Sequence, residues 1–279
     1  MKIGVVLLNY NSSEDILKLV EELYNIEEIF IVILDNSEKM DGNLLKLEEK
    51  NRDKIKYIFN NMNLGYYKGN LVGVKYLFNN HNINNILILN PDVGSNAWNK
   101  IIEKLLCYFK TEKDFIVGPK IKIPGYKDVS SPKPKFSFYK EIIYNFLFPI
   151  SYIFLRKKQT KLAKKSGKVF TVEGSAYMVD AKKYISLENY FNNIFLYGEE
   201  LIFGLIAEKN KWDIYFDNSI NVLHYHPPRK ESKTYDKYYI ESLKEICNLF
   251  KISKMLENIL IFSVYYKNYI KKLILKIKR

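Results

Sequence analysis

The apolar run Ile86–Leu89 stops abruptly at Asn90-Pro91-Asp92. Proline has no backbone N–H and pushes the residue before it out of the helical region. The run therefore predicts a strand that ends there, with Asp92 just beyond its C-terminal edge. Open α/β sheets bind ligands at that edge. A carboxylate so placed is suited to a divalent cation, which in turn holds phosphate; capping the next helix is the alternative. Glu199 and Glu200 open a predicted helix running to Glu208, where the helix dipole favours an ionised carboxylate. Such a group at the mouth of a cleft takes a proton from an alcohol, though two first-turn glutamates are also common as plain surface residues. His224 and His226 alternate at the end of a predicted strand, so at most one faces a cleft. A lone strand histidine is more often structural than a ligand.

Three further polar stretches follow apolar runs. Asn9-Tyr10-Asn11 ends Ile3–Leu8, and Asp35-Asn36-Ser37 ends Ile29–Leu34. Parallel strands close in sequence bring their ends together. Asp35 then either accepts the N3–H of a uracil or thymine ring or, with Ser37, caps a turn. The third stretch, Asn63-Leu64-Gly65-Tyr66-Tyr67-Lys68-Gly69-Asn70-Leu71-Val72-Gly73, spaces glycines for a tight turn at a helix start. It is neither the dinucleotide fingerprint nor a phosphate-binding P-loop. For Gly73, helix–sheet packing is expected in any case.

The elements that position these residues alternate. Strands are expected at Ile3–Leu8, Ile29–Leu34, Ile55–Phe59, Ile86–Leu89 and Phe115–Val117. Helices are expected at Glu14–Tyr24 (capped by Ser12 with Asp15 as the box partner), Leu44–Glu49, Gly69–Phe78 and Ala97–Phe109. This is the pattern of an α/β doubly wound, mostly parallel sheet. Residues 125–134 are rich in turn formers and read as a mobile loop. Val169–Val172, Ala176–Val179, Trp212–Phe216 and Ile220–Tyr225 are later strands, and the chain from Lys233 on is helical.

The 279 residues are 47% hydrophobic, enough for a full core and against global disorder. Cys107 and Cys247 lack metal-type spacing and read as buried or idle thiols in a reducing compartment. No signal peptide is expected, since Met1-Lys2 leads directly into a strand-like run. The net charge is +13, yet residues 1–100 hold 11 Lys and Arg against 13 Asp and Glu, so the excess lies in the remainder. There it accompanies two aromatic, apolar segments. Phe136–Leu155 is followed by seven basic residues between Arg156 and Lys168, and Lys251–Arg279 carries eight bases and one acid. Lys140, Glu141 and Pro149 argue against a transmembrane span in the first segment. The first segment is expected either to lie in the plane of an anionic membrane surface or to be a core helix beside a solvated basic loop, and the second to be a helix lying on a membrane. No nucleic-acid module signature accompanies the charge, so nucleic acid is not an expected partner.

Taken in order, NYNS (Asn9–Ser12), LDNS (Leu34–Ser37), NLGYYKGNLVG (Asn63–Gly73), LNPDV (Leu89–Val93), EGSAYMVD (Glu173–Asp180), LYGEE (Leu196–Glu200) and VLH (Val222–His224) resemble the family 2 glycosyltransferases of GT-A fold, especially bacterial rhamnosyltransferase-like and galactofuranosyltransferase-like members. The resemblance covers residues 1–228. It implies a nucleotide-binding half, residues 1–119, and an acceptor and catalytic half, residues 120–228, with a basic-aromatic insertion at 136–168. Residues 229–279 would form a C-terminal amphipathic membrane-association region. It implies Mg²⁺ or Mn²⁺ on Asp92, with His224 as second ligand. Asn9, Asn11 and Asp35 would hold the nucleoside. Asn63, Gly65 and Asn70 would line the nucleotide-sugar pocket, along with Tyr10, Asn36, Ser37, Lys68 and Asn90. Glu200 would be the general base, with Glu199 before it; the usual pair is Glu-Asp, and Ile202 stands where a further acid is common. The implied enzyme is an inverting, metal-dependent transferase using a UDP- or dTDP-sugar and a lipid-linked or polysaccharide acceptor, cytoplasmic and peripheral to the inner membrane face. The alternative is a non-catalytic relative that binds nucleotide or glycan. A sugar-1-phosphate nucleotidyltransferase is disfavoured, because residues 9–13 lack a Gly-rich basic loop.

Overall fold

The computed structural model describes residues 2–125, 131–225 and 233–277. In chain order the elements are β1 (Ile3–Asn9), α1 (Ser13–Tyr24), β2 (Ile29–Asp35), α2 (Gly42–Lys50), β3 (Ile55–Phe59), α3 (Tyr66–His81), β4 (Asn85–Leu89), β5 (Val93–Gly94) and α4 (Trp98–Leu106). Then follow β6 (Asp114–Lys122), α5 (Phe138–Phe146), α6 (Ile150–Leu162), β7 (Gly167–Lys168), β8 (Ala176–Asp180), α7 (Ala181–Ser186), α8 (Glu199–Asn210), β9 (Asp213–His224), α9 (Lys233–Leu249) and α10 (Lys254–Ile277), with a 3-10 turn at Glu188–Phe191.

One nine-stranded sheet runs in the order β3-β2-β1-β4-β8-β6-β9-β5, with β7 beside β9. The first four strands are parallel, as the alternating apolar runs require. β8 enters antiparallel between β4 and β6, so the sheet is mixed beyond β4. Trp212–Phe216 and Ile220–Tyr225, expected as two strands, form the single strand β9, which pairs with β6 through a register shift. Val169–Val172 is no strand: β7 precedes it, and Thr171 makes only an isolated bridge to Lys133.

Strand residues alternate between two cores, as the two-residue pleat dictates. Val5, Leu7, Ile31, Ile33, Leu87 and Leu89 face α1 and α4, where Ile16, Leu19, Trp98, Ile101 and Leu105 are buried. Val6, Val32, Leu34, Ile86 and Ile88 face α3 and α8, meeting Leu71, Val74, Leu77 and Phe203. A Cβ on Gly73 would stand 2.6 Å from Leu34 Cδ2, so α3 lies close enough to the sheet that a larger residue would displace Leu34. A third cluster joins α5, α9 and α10 through Ile142, Ile240, Leu243, Leu260 and Val264, with Leu201 of α8 packed against it.

That third cluster changes the expected role of the C-terminus. One face of α10 is core: Leu260, Ser263 and Val264 are buried, and Asn145 Nδ2 donates to Ser263 Oγ at 3.1 Å. α10 therefore packs on the rest of the fold through one stripe, as the amphipathic repeat allows. The described helices include none long and apolar enough to cross a membrane.

Candidate functional site

The register between β1 and β2 sets Asn9 beside Asp35. Asn9 Nδ2 donates to Asp35 Oδ1 at 3.0 Å, Tyr57 Oη donates to Asp35 Oδ2 at 2.6 Å, and Ser37 N donates to Asp35 Oδ1 at 3.0 Å. Asp35 is fully buried and serves first as the tie between three strand ends. Ser12 does not cap α1 with its side chain; its N–H and hydroxyl both donate to Asn9 Oδ1, which outcompetes the helix amides. Asn11 N donates to Ser37 Oγ at 2.9 Å, while Tyr10 is exposed at the rim. A cleft of about 520 Å³ opens here, lined by Asn11, Ser12, Ser37, Lys39 and Asp41. A larger hollow of about 620 Å³ lies between α9 and α10 and contains none of the expected site residues.

The glycine stretch joins this cluster through backbone geometry. Asn36 Nδ2 donates to Gly65 O at 3.1 Å, and Asn63 Oδ1 accepts from Gly65 N at 2.9 Å. Gly65 sits at φ +79°, and a Cβ there would be 2.0 Å from Phe195 O. Only glycine fits, because the loop before α8 passes directly over it. Two expected residues of this stretch do not enter the cleft. The Lys68 ammonium donates to Asn192 O at 2.8 Å. Asn70 is sealed in α3, its Nδ2 donating to Tyr66 O, because its position on the helix faces the sheet.

The second cluster forms where β5 meets β9. Val93 pairs with His224, and Tyr225 N donates to Asp92 O at 2.8 Å. This brings Asp92 Oδ1 to 3.2 Å from His224 Nε2, both side chains partly exposed. Glu173 Oε1 lies 3.6 Å from His224 Nδ1 on the other side of the ring. Asn90 contributes its main chain, with N donating to Ser175 O at 2.8 Å. His226 lies outside the described residues.

Residue 174, next to Glu173, links this cluster to α8. Gly174 N donates to Glu200 Oε1 at 3.0 Å, and Lys133 Nζ donates to Glu200 Oε2 at 2.5 Å. Tyr66 Oη donates to Gly174 O, and Tyr66 N donates to Phe195 O. The site thus draws on β4, β5, β9, α3, α8 and the segment around Lys133. Lys133 and Glu173 had no expected role. Of the turn-rich stretch 125–134, residues 126–130 lie outside the described residues. Its end is held, with Lys133 bridged to Thr171 and Glu173 N donating to Ser131 Oγ.

The two adjacent glutamates differ sharply. Glu199 is 6% exposed and its Oε1 has no hydrogen-bond partner among the described residues; burial pushes its carboxyl up to about 8, and the neighbouring Glu200 adds to the shift. Burial alone would lower the Lys133 ammonium, but the Glu200 carboxylate outweighs it and holds Lys133 above the usual lysine range. At neutral pH Glu199 is therefore the protonated member. An acid whose folded pKa is raised adds stability fully present below its unfolded value, 4.5, and lost as pH rises through about 8. Glu199→Gln is expected to remove this component, on the order of a few kcal/mol, from the fall in unfolding free energy between pH 5 and 8.5. Urea titrations at the two pH values measure it; an equal fall in both proteins would refute a buried, neutral Glu199.

The donor set at Asp92 and His224 suits a hard or borderline divalent ion. Two neighbouring ligands about 2.1 Å from an octahedral ion stand roughly 3 Å apart, and these two atoms are 3.2 Å apart. Glu173 on the opposite ring nitrogen is placed to fix the imidazole, as carboxylates behind metal-bound histidines do. Among the described residues no three His, Cys, Asp or Glu side chains make a metal cage by themselves. A bound anion and water can supply the remaining ligands.

No protein-family model matches the chain. The low-salt glycan biosynthesis hexosyltransferase Agl10 of Haloferax volcanii is 26% identical over 226 residues, which cover 81% of this chain and 67% of that protein. GalNAc-T7, solved with UDP, GalNAc and Mn²⁺, superposes with a TM-score of 0.61 at 12% identity, covering 96% of this chain and 55% of that one. This chain thus spans little more than half the length of GalNAc-T7. Residues 1–349 of S. aureus TarS in complex with UDP-GlcNAc give a TM-score of 0.55 at 15% identity, over 96% of this chain and 73% of that one.

Proposed function

We propose that this chain, which has the GT-A glycosyltransferase fold and is similar over 81% of its length to a hexosyltransferase, transfers a hexosyl or deoxyhexosyl unit from a UDP- or dTDP-sugar to an acceptor hydroxyl, with inversion. The acceptor class is a lipid-linked or polysaccharide glycan. The observation that carries the reading is the convergence of Asp92 and His224, from separate halves of the chain, to 3.2 Å at the sheet edge. Asp92 and His224 would hold Mg²⁺ or Mn²⁺, which supplies charge to offset the departing diphosphate. The GalNAc-T7 structure with UDP and Mn²⁺ supports that choice.

In this reading the loop ends at Asn9, Asn11, Asn36 and Ser37 frame the nucleoside, with Asp35 holding them in register. Gly65 keeps the loop from Phe195 close to the donor side of the cleft. Glu200, reachable from solvent and aimed by Gly174 N–H and Lys133, takes the acceptor hydroxyl proton. The acceptor oxygen forms its bond to the anomeric carbon on one face as the carbon–oxygen bond to the diphosphate breaks on the other. The second reading, a nucleotide-binding protein without turnover, draws on the same Lys133 contact, since the ammonium occupies one oxygen of the base.

A screen of UDP- and dTDP-sugars with Mn²⁺ or Mg²⁺ tests the reading by thermal unfolding. A true donor at a hundredfold excess over Kd adds about 2.7 kcal/mol, or about 5 °C for a chain of this size. No shift with any pyrimidine sugar nucleotide would overturn donor binding. A shift without nucleotide release in the presence of glycan acceptors would select the second reading.

A further inference from the structure

The two basic-aromatic segments, far apart in sequence, are one structural unit. α5 packs along α10, with Phe146 against Phe262 and Tyr266 and Asn145 bonded to Ser263. α6 follows α5 directly and is exposed along nearly all its length, with Ser151 its one buried residue. Opposite its buried stripe, α10 shows Met255, Ile259, Phe262, Tyr266, Tyr269 and Leu273 to solvent, spaced by three and four residues. α5 adds Ile143 and Leu147, and α6 adds Tyr152, Ile153 and Phe154. Monomers rarely leave so many large apolar side chains together in water without a use for them.

The charge around this face is predominantly positive. No acid occurs between Ile142 and Val172, and none follows Glu257. Lys157, Lys158, Lys161 and Lys272 are exposed beside the apolar side chains. The acids at the edge are engaged: Glu257 pairs with Lys254 at 2.7 Å, and Glu141 feels the Lys267 ammonium. A second copy of this face would oppose lysines to lysines, which disfavours a symmetric dimer. An anionic bilayer satisfies both properties, since its acyl region takes the aromatic and aliphatic side chains and its head groups take the bases.

We infer that α5, α6 and α10 form a single docking face for an anionic lipid bilayer. It is coupled to the candidate site by position. Only four residues separate Lys133 from Phe138 at the start of α5, and Leu201, next to Glu200, packs on the cluster that α10 completes. A chain docked this way holds its cleft near the membrane surface, where a lipid-borne hydroxyl is presented. The face itself stands whether or not the transferase reading holds, because lipid binding requires neither donor nor acceptor.

Flotation of the full chain with vesicles tests it, using phosphatidylglycerol mixed with phosphatidylcholine against phosphatidylcholine alone. Anionic vesicles are expected to bind at least tenfold more protein than neutral ones. The double variant Ile153→Ser/Phe154→Ser and the variant Phe262→Ser change side chains 55%, 65% and 62% exposed. Their melting should be unchanged, while binding falls by about tenfold each. Lys157→Glu/Lys158→Glu, which leaves the apolar side chains intact, should reduce binding by a similar factor through charge alone, so a poorly folded apolar variant does not blunt the test. Wild-type protein that ignores anionic vesicles, or binding that persists in all three variants, overturns the inference. So does a concentration-dependent dimer abolished by these substitutions, which would make the face a protein interface.

Discussion

Glu200→Gln is expected to reduce turnover about 10³-fold with donor affinity unchanged. Glutamine preserves the side-chain length, and its carbonyl oxygen still accepts from Gly174 N–H or Lys133, so the start of α8 keeps its place. What it loses is basicity. The choice between the two glutamates rests on their surroundings. Glu199 is buried and protonated near neutral pH, its carboxyl pushed up to about 8. Glu200 is 24% exposed, with the Lys133 ammonium against one oxygen. The buried, neutral Glu199 cannot take a proton, which leaves Glu200 as the base. The measurement is nucleotide release under saturating donor, with kcat and KM separated and donor binding read by calorimetry. Full activity in Glu200→Gln would remove it as base. A drop in donor affinity instead of kcat would recast it as a donor-binding residue.

The same contrast shows what a linear reading reveals and what it hides. The parallel half of the sheet is visible in the string because β1, β2 and β4 are continuous apolar runs ended by Asn or Asp. Asp92 announces itself because Pro91 terminates its strand. Its partner is less obvious: the pairing that delivers His224 involves β5, only Val93–Gly94, too short for any periodicity to register. Lys133 sits in a stretch whose prolines and glycine read as mobile loop, and its contact with Glu200 is set by a bridge to Thr171 across the fold. Glu173 lies inside a recognisable segment, yet the direction of its side chain depends on Gly174 docking onto α8. Lys68 and Asn70 show the converse. They belong to a polar, glycine-rich stretch, but α3 begins at Tyr66, four residues before Asn70, and their side chains bond to Asn192 O and Tyr66 O. The C-terminal helix was half legible. Its amphipathic repeat is plain, while the partner for each stripe emerges only once α5 and α9 are seen against it.

Asp92→Ala is expected to lower nucleotide release by about 10²–10³-fold and to weaken Mn²⁺ binding in the presence of nucleotide. The substitution is clean by geometry. The contact that joins β5 to β9 is made by the Asp92 carbonyl, which accepts from Tyr225 N at 2.8 Å and survives in alanine. Leu89 and Val93 on either side remain in the core. The unfolding midpoint should therefore hold while function falls. His224→Ala is expected to give a smaller loss, and the double variant little more than Asp92→Ala alone, because two residues serving one ion share a coupling of about 0.5–3 kcal/mol. Manganese titration followed by paramagnetic resonance reads the ion directly, independent of turnover. Strict additivity of the two losses would mean that Asp92 and His224, though 3.2 Å apart, act on different things. Unchanged Mn²⁺ affinity in both single variants would mean that their pairing is only a strand-end contact, and the sheet edge would need another explanation.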